Sequence, residues 1–159
     1  MIYIAHRGLF EGPDTSLENK PEQIERAIKA GFDCEVDLRT VLNISKLDYD
    51  LFLGHDEAMY PVDYHWLSGK PLWIHAKDFG ALYWLNRHRK KFNYFWHQED
   101  SFTITSEGYI WTFPGNQLSL RSIDVVPEWH LDHKELINYD KECYGVCSKY
   151  VGLMKKVTK

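Results

Sequence analysis

Gly31-Phe32-Asp33-Cys34-Glu35-Val36-Asp37-Leu38 is the stretch on which the fold turns. Gly31 stops a preceding helix, and Cys34–Leu38 reads as a short strand. Side chains at i and i+2 of a strand point to the same face. Glu35 and Asp37 therefore share one face, while Cys34, Val36 and Leu38 share the other. Unpaired buried carboxylates are expensive. Such a pair calls for basic partners or a metal, and its oxygen ligands suit Mg²⁺ or Ca²⁺. The alternatives are that the pair faces solvent or bridges to Arg39.

Upstream, Pro21 followed by Glu22, Ile24, Ala27 and Ile28 reads as a helix with proline in its first turn. Before it lies the apolar run Ile2–Ala5. Downstream, further β-rich runs fall at Leu51–Gly54, Leu72–Ala76, Tyr94–Trp96, Tyr109–Thr112 (joined by Phe102–Ile104), Ile123–Val126 and Gly145–Cys147. Asp78 caps a second helix through Leu82, Leu85 and Arg89, and Lys134–Cys143 gives a weaker third. Arg39–Asp50 has no helical period and reads as a loop or local hairpin. Strands apolar on both faces and alternating with helices imply a parallel sheet. Eight of them predict a compact α/β (β/α)8 TIM-type barrel. Such barrels usually take about 250 residues, so 159 residues require short or missing outer helices. No linker or repeat interrupts residues 1–159, which read as one domain.

Composition narrows the function. Hydrophobic residues make up 44% and charged residues 26%, values of a globular domain. The net charge of −4 and the absence of a basic stripe argue against nucleic acid as a partner. The one basic run, Arg87–Lys91, reads as a solvated helix end. No apolar run reaches membrane-spanning length, so no membrane partner is expected. Three cysteines without a leader or zinc-ribbon spacing point to a reducing, cytoplasmic setting. Aromatics, at 15%, often adjoin polar residues, which suits either a pocket for a polar organic ligand or a small core of large side chains.

Ionisable residues gather at strand ends, where parallel α/β proteins build their sites. His6-Arg7-Gly8 follows the first run: His6 can move protons and Arg7 can grip a phosphate. His55-Asp56 follows Leu51–Gly54. His75 and Lys77 share a face at the end of Leu72–Ala76, with His75 a metal ligand or a core histidine and Lys77 a point charge for a phosphate oxygen. Proton carriers, paired carboxylates and cations are the classes phosphoryl transfer needs. In the second half, His97, Glu99, Asp100, Trp111 and Glu128-Trp129-His130 stand at strand ends as pocket candidates.

These motifs resemble the glycerophosphodiester phosphodiesterase family, within the phospholipase-C-like phosphodiesterase barrels. His6-Arg7-Gly8 matches its HRG, Glu18-Asn19 its E-N pair, Gly31–Asp37 its G-x-D-x-E-x-D, and His55-Asp56 its HD. The resemblance is firm over residues 1–56. It implies His6 and His55 as general acid and base, with Glu35 and Asp37 as metal ligands. Arg7 would bind the phosphate, and Lys77 would match the lysine of the family's E-x-K. His75 stands where that motif has glutamate, which would add an imidazole to the metal set and open it to Mn²⁺ or Zn²⁺ besides Mg²⁺ or Ca²⁺. Lys149 stands where the family carries aspartate. The implied activity is hydrolysis or cyclisation of a small soluble phosphodiester, through a cyclic phosphate, in the setting of lipid metabolism. Trp111 and Glu128 are further expected substrate contacts. The alternatives are a non-catalytic barrel binding a phosphorylated or sugar-like ligand, and a metal-dependent sugar isomerase, which would leave Arg7 and Lys77 unused. The sequence leaves the oligomeric state open.

Overall fold

The computed structural model describes residues 1–157. In chain order the strands are β1 (Ile2–Ala5), β2 (Asp33–Asn43), β3 (Asp48–Leu53), β4 (Tyr60–Val62), β5 (Leu72–Ala76), β6 (Asn93–Trp96), β7 (Phe102–Ile104), β8 (Ile110–Thr112), β9 (Ser122–Val125) and β10 (Gly145–Ser148). The helices are α1 (Pro21–Lys29), α2 (Tyr64–Leu67), α3 (Phe79–Arg87), α4 (His133–Ile137) and α5 (Val151–Val157). Single 3-10 turns follow β1 at His6–Gly8 and β9 at Pro127–Trp129.

Seven strands run parallel in the order β6-β5-β2-β1-β10-β9-β8. Antiparallel additions sit at two places. β7 pairs with β8, and β3 pairs with the outer half of β2, Leu38–Asn43, with β4 beyond it. The run at Leu51–Gly54 is therefore a hairpin return rather than a barrel strand. Its apolar residues look alike in either role; the connection decides, because a parallel crossover needs a dozen or more residues. The chain between β2 and β3 is far shorter. The expected helix at Lys134–Cys143 is confined to α4, where a capping box of Asp132 and Glu135 starts it. Asp78 caps α3 as expected, accepting the Ala81 N–H at 2.8 Å.

Strand alternation sorts the interior into two clusters. Cys34, Val36 and Leu38 of β2, with Leu72, Ile74 and Ala76 of β5, pack against Ile24 and Ala27 of α1 and Ala81, Trp84 and Leu85 of α3. Residues one position away face the other side. Ile4, Trp73, Phe95, Trp111, Ile123, Val125 and Cys147, from six strands, form a second cluster. Phe95 of β6 stacks on Trp111 of β8 at 4.4 Å although the two strands lie at opposite ends of the parallel run. The sheet thus curls around this cluster. No ladder joins β6 to β7, but the Ser106 N–H donates to the Tyr94 carbonyl at 2.8 Å and the Thr103 hydroxyl donates to the Trp96 carbonyl at 2.9 Å across that gap. Among the described residues, no helix is long and apolar enough to cross a membrane.

Candidate active site

The face that carries the second cluster also carries Glu35 and Asp37, which lie toward the carboxyl end of the parallel strands and are 2% and 1% exposed. The register explains who joins them. Asp37 pairs with His75 across β2 and β5, and Lys77 follows one residue beyond β5. His75 Nδ1 lies 3.3 Å from Asp37 Oδ1 and 3.9 Å from Glu35 Oε1, and Lys77 Nζ lies 3.7 Å from the same Asp37 oxygen.

The turn after β1 brings the next group. Arg7 holds φ 53° and Gly8 φ 78°, left-handed values that reverse the chain just past the strand. A Cβ on Gly8 would also meet Ile24 Cγ1 at 2.9 Å, so α1 can sit against the turn only above glycine. The Arg7 N–H donates to Glu35 Oε2 at 3.0 Å, its Nη1 to Glu18 at 2.7 Å, and its Nε lies 3.1 Å from Asp37 Oδ2. Glu18 is shared: Lys149 Nζ donates to its other oxygen at 2.6 Å. Lys149 thus brings a second cation to Glu18, and its charge contributes to lowering His6.

Asn19 fixes Asp37. Its Nδ2 donates to Asp37 Oδ2 at 2.8 Å and its Oδ1 accepts the Asp37 N–H at 2.9 Å. Asn19 sits at φ 59° and is 1% exposed. Asn19→Ala would strand a buried N–H and place alanine in a left-handed conformation. It should lower stability by about 2–4 kcal/mol, read from urea denaturation. A loss below about 0.5 kcal/mol would show that Asp37 is held by other means.

His55 is reached from the hairpin. Gly54, at φ 153°, turns the chain out of β3 where a Cβ would strike the Glu57 carbonyl at 1.9 Å. Asp56 lies 2.8 Å from His55 Nδ1 and orients the ring. The Arg39 guanidinium donates twice to the His55 carbonyl, at 3.0 and 2.6 Å. His6, Arg7, Glu35, Arg39, His55, His75 and Lys77 line one cleft of about 400 Å³, together with Trp96, His97, Trp111, Phe113 and Trp129. Trp96 belongs to the aromatic-and-polar run Tyr94–His97 that suits a pocket, whereas Arg39 and Phe113 were not anticipated in it. Glu128 is absent from this lining; its Oε1 accepts the Lys149 N–H at 3.1 Å. Glu99, Asp100 and His130 also stand away from it, and His130 meets Lys141 at 3.2 Å.

Burial and the neighbouring Asp37 push the Glu35 carboxyl up to about 8, against the pull of Arg7. Burial would raise Asp37 as well, but His75, Arg7 and Lys77 hold it below the usual carboxylate range. Burial, then the charge of Arg7, pushes His6 down to about 3 and keeps it neutral. All three cysteines are unpaired, and burial raises the Cys34 and Cys147 thiols.

The donor set fits a divalent metal. His75 Nε2 lies 2.9 Å from the His97 carbonyl, which can only accept, so Nε2 carries a proton and Nδ1 is the nitrogen that faces the carboxylates, where it would ligate a metal as its lone pair is freed. Asp37 Oδ1 is buried and, among the described residues, approached only by His75 Nδ1 at 3.3 Å and Lys77 Nζ at 3.7 Å, without a well-formed hydrogen bond. One ligand atom each from Glu35, Asp37 and His75 falls within 4.8 Å of the others. With Glu35 ionised, as metal binding requires, Arg7, Lys77 and Lys149 balance the charges of Glu18, Glu35 and Asp37, so a bound divalent ion would leave the centre positive and attractive to an anion. No family model, curated protein or solved structure matches this chain.

Proposed function

We propose that the chain is a metal-dependent phosphodiesterase of the glycerophosphodiester phosphodiesterase type, built on a cut-down barrel and acting on a small phosphodiester. One observation carries the reading: Glu35 and His75 line a cleft that also holds His6, His55 and three basic side chains, Arg7, Arg39 and Lys77, and Asp37, buried and outside that lining, brings a third metal-type donor within 4.8 Å of theirs. Mere anion binding needs the cations but neither the imidazole pair nor the buried carboxylates.

Each group then has a task. Arg7 and Lys77 bind the phosphate oxygens and orient the diester. Neutral His6 accepts the proton of a substrate hydroxyl next to the phosphorus. That oxygen forms its bond to phosphorus as the bond to the leaving alcohol breaks. His55, oriented by Asp56 and open to solvent, gives the leaving oxygen its proton. The product is a cyclic phosphate, which water opens if the reaction continues. A divalent ion held by Glu35, Asp37 and His75 would supply Lewis-acid stabilisation of the phosphoryl charge and lower the hydroxyl's pKa.

A second reading rests on Arg7 and Lys77, which already stand within 3.1 and 3.7 Å of Asp37. A site neutralised by its own cations could bind phosphorylated ligands without turnover. Phosphorus NMR of purified protein with glycerophosphoethanolamine, in Mg²⁺, Ca²⁺, Mn²⁺ and Zn²⁺ separately, separates the two. The phosphodiesterase reading expects the diester signal to give way to a cyclic phosphate or a monoester. Intact diester under every metal would leave the binding reading.

A further inference from the structure

The cleft combines two chemistries. Arg7, Arg39, Lys77 and four histidines line it, and so do Trp111, Phe113 and Trp129, an aromatic shelf that His97 meets at 6.1 Å from Phe113. We propose that this shelf is a subsite for a sugar ring, so that the preferred substrate is a phosphodiester with a glycosyl group on one side. The inference rests on the phosphodiesterase reading for the position of the phosphate, and on the shelf for everything else.

Three observations carry it. First, the shelf presents aromatic faces. Phe113 meets Trp129 edge-on at 5.9 Å and 78°, and Trp111, held by its stack on Phe95, lines the same cleft. Trp129 is 67% exposed and Phe113 38%, an unusual expense of aromatic surface unless a ligand covers it. Second, polar groups stand beside the rings. His97 and Gln98 line the same cleft, and His97 Nδ1 is buried without a hydrogen bond although its own carbonyl serves His75. Burial of such an atom is costly until a partner arrives, and a ligand hydroxyl is a partner of the right kind. Aromatic faces with hydrogen-bonding groups at their edge match a sugar, whose ring has apolar C–H faces and a polar rim. An acyl chain would leave His97 and Gln98 unmatched. Third, the surrounding loops are acidic. Asp56, Glu57, Glu99 and Asp100 are all exposed beside His55 and Gln98, which repels an anionic lipid surface and favours a neutral moiety presented from solution.

Because Trp129 is exposed, its removal should leave the fold intact. Wild type should cleave the diester of glycerol phosphate with glucose with kcat/KM at least about tenfold above that for glycerophosphoethanolamine. Trp129→Ala should raise KM for the glucosyl diester about tenfold, the size of one lost aromatic contact, with kcat unchanged. It should raise KM for glycerophosphoethanolamine far less, so that the preference for the glucosyl diester collapses. Tryptophan fluorescence titration with the non-hydrolysable phosphonate analogue of the glucosyl diester gives a second readout without turnover, and Trp129→Ala should weaken that binding by the same factor. Equal binding by wild type and Trp129→Ala, or a preference for lysophosphatidylcholine, would overturn the sugar subsite even if glycerophosphoethanolamine is cleaved. Trp129-dependent binding of the analogue with no cleavage of any diester would uphold the subsite and remove the catalytic reading instead.

Discussion

Alanine in place of His6 or of His55 should slow phosphodiester turnover by roughly 10²–10⁴-fold each, the usual worth of a positioned proton carrier. The two imidazoles are unequal partners. His6 is buried beside Glu35, at 3.8 Å from its Oε2, and its Nδ1 has no hydrogen bond. His55 is more open and is oriented by Asp56. Burial keeps His6 neutral and free to accept a proton, although its lowered pKa makes it a weak base until a phosphodiester anion binds beside it, while exposure lets His55 recover its proton from solvent. Groups that act on one transition state are not additive, so the double variant should lose far less than the product of the single losses. Initial rates at saturating substrate measure all three. Full activity in either single variant would remove that residue from the chemistry.

Stability should carry the signature of Glu35. Its folded pKa, pushed up to about 8 by burial and Asp37, exceeds its unfolded value of about 4.3. Between these values the folded protein holds a proton that the unfolded chain has released. Stability must therefore fall as pH rises through this window, by up to about 1.4 kcal/mol per pH unit. His6 acts oppositely. Its folded pKa, pushed down to about 3, lies below the unfolded value of about 6.5, so its contribution is complete above 6.5 and is lost as pH falls toward 3. The two slopes offset one another below about 6.5, which leaves the fall from Glu35 visible between about 6.5 and 8. Urea denaturation with a chelator present should show this fall. Glu35→Gln should abolish it, and saturating divalent metal should reverse it by favouring the ionised carboxylate. A flat profile in chelator would mean that Glu35 is ionised in the folded protein at pH 7.

Much of the site was legible because strand geometry is periodic. Glu35 and Asp37, like His75 and Lys77, share a face by the two-residue repeat alone, and β2 and β5 meet in the register that joins them. Asp78 was legible as a cap because the capping interaction is local. The rest depends on contacts that no local pattern encodes. Asn19 reaches Asp37 across 18 residues. Arg39 enters the cleft only because β2 runs on past its parallel partners into a hairpin with β3, in a stretch without clear period. Glu128 stood at a strand end as a substrate contact would, yet its carboxylate binds the Lys149 N–H; strand-end position does not specify rotamer or partner. β4 and α2 are too short to show a period, and α5 follows β10 with little spacing to announce it.

Every catalytic role proposed for the cleft residues depends on a divalent ion held by Glu35, Asp37 and His75. Calorimetric titration of metal-free protein with Mg²⁺, Ca²⁺ and Mn²⁺ in turn, at pH 7, tests it without reference to any substrate. Wild type should bind at least one of these ions at one site per chain and release a proton as Glu35 ionises, so that the observed heat varies with the buffer's ionisation enthalpy. The Glu35→Gln/Asp37→Asn double variant should bind none, and His75→Ala should retain only weakened binding. Equal binding by wild type and the double variant, or no binding of any ion by wild type, would contradict the centre.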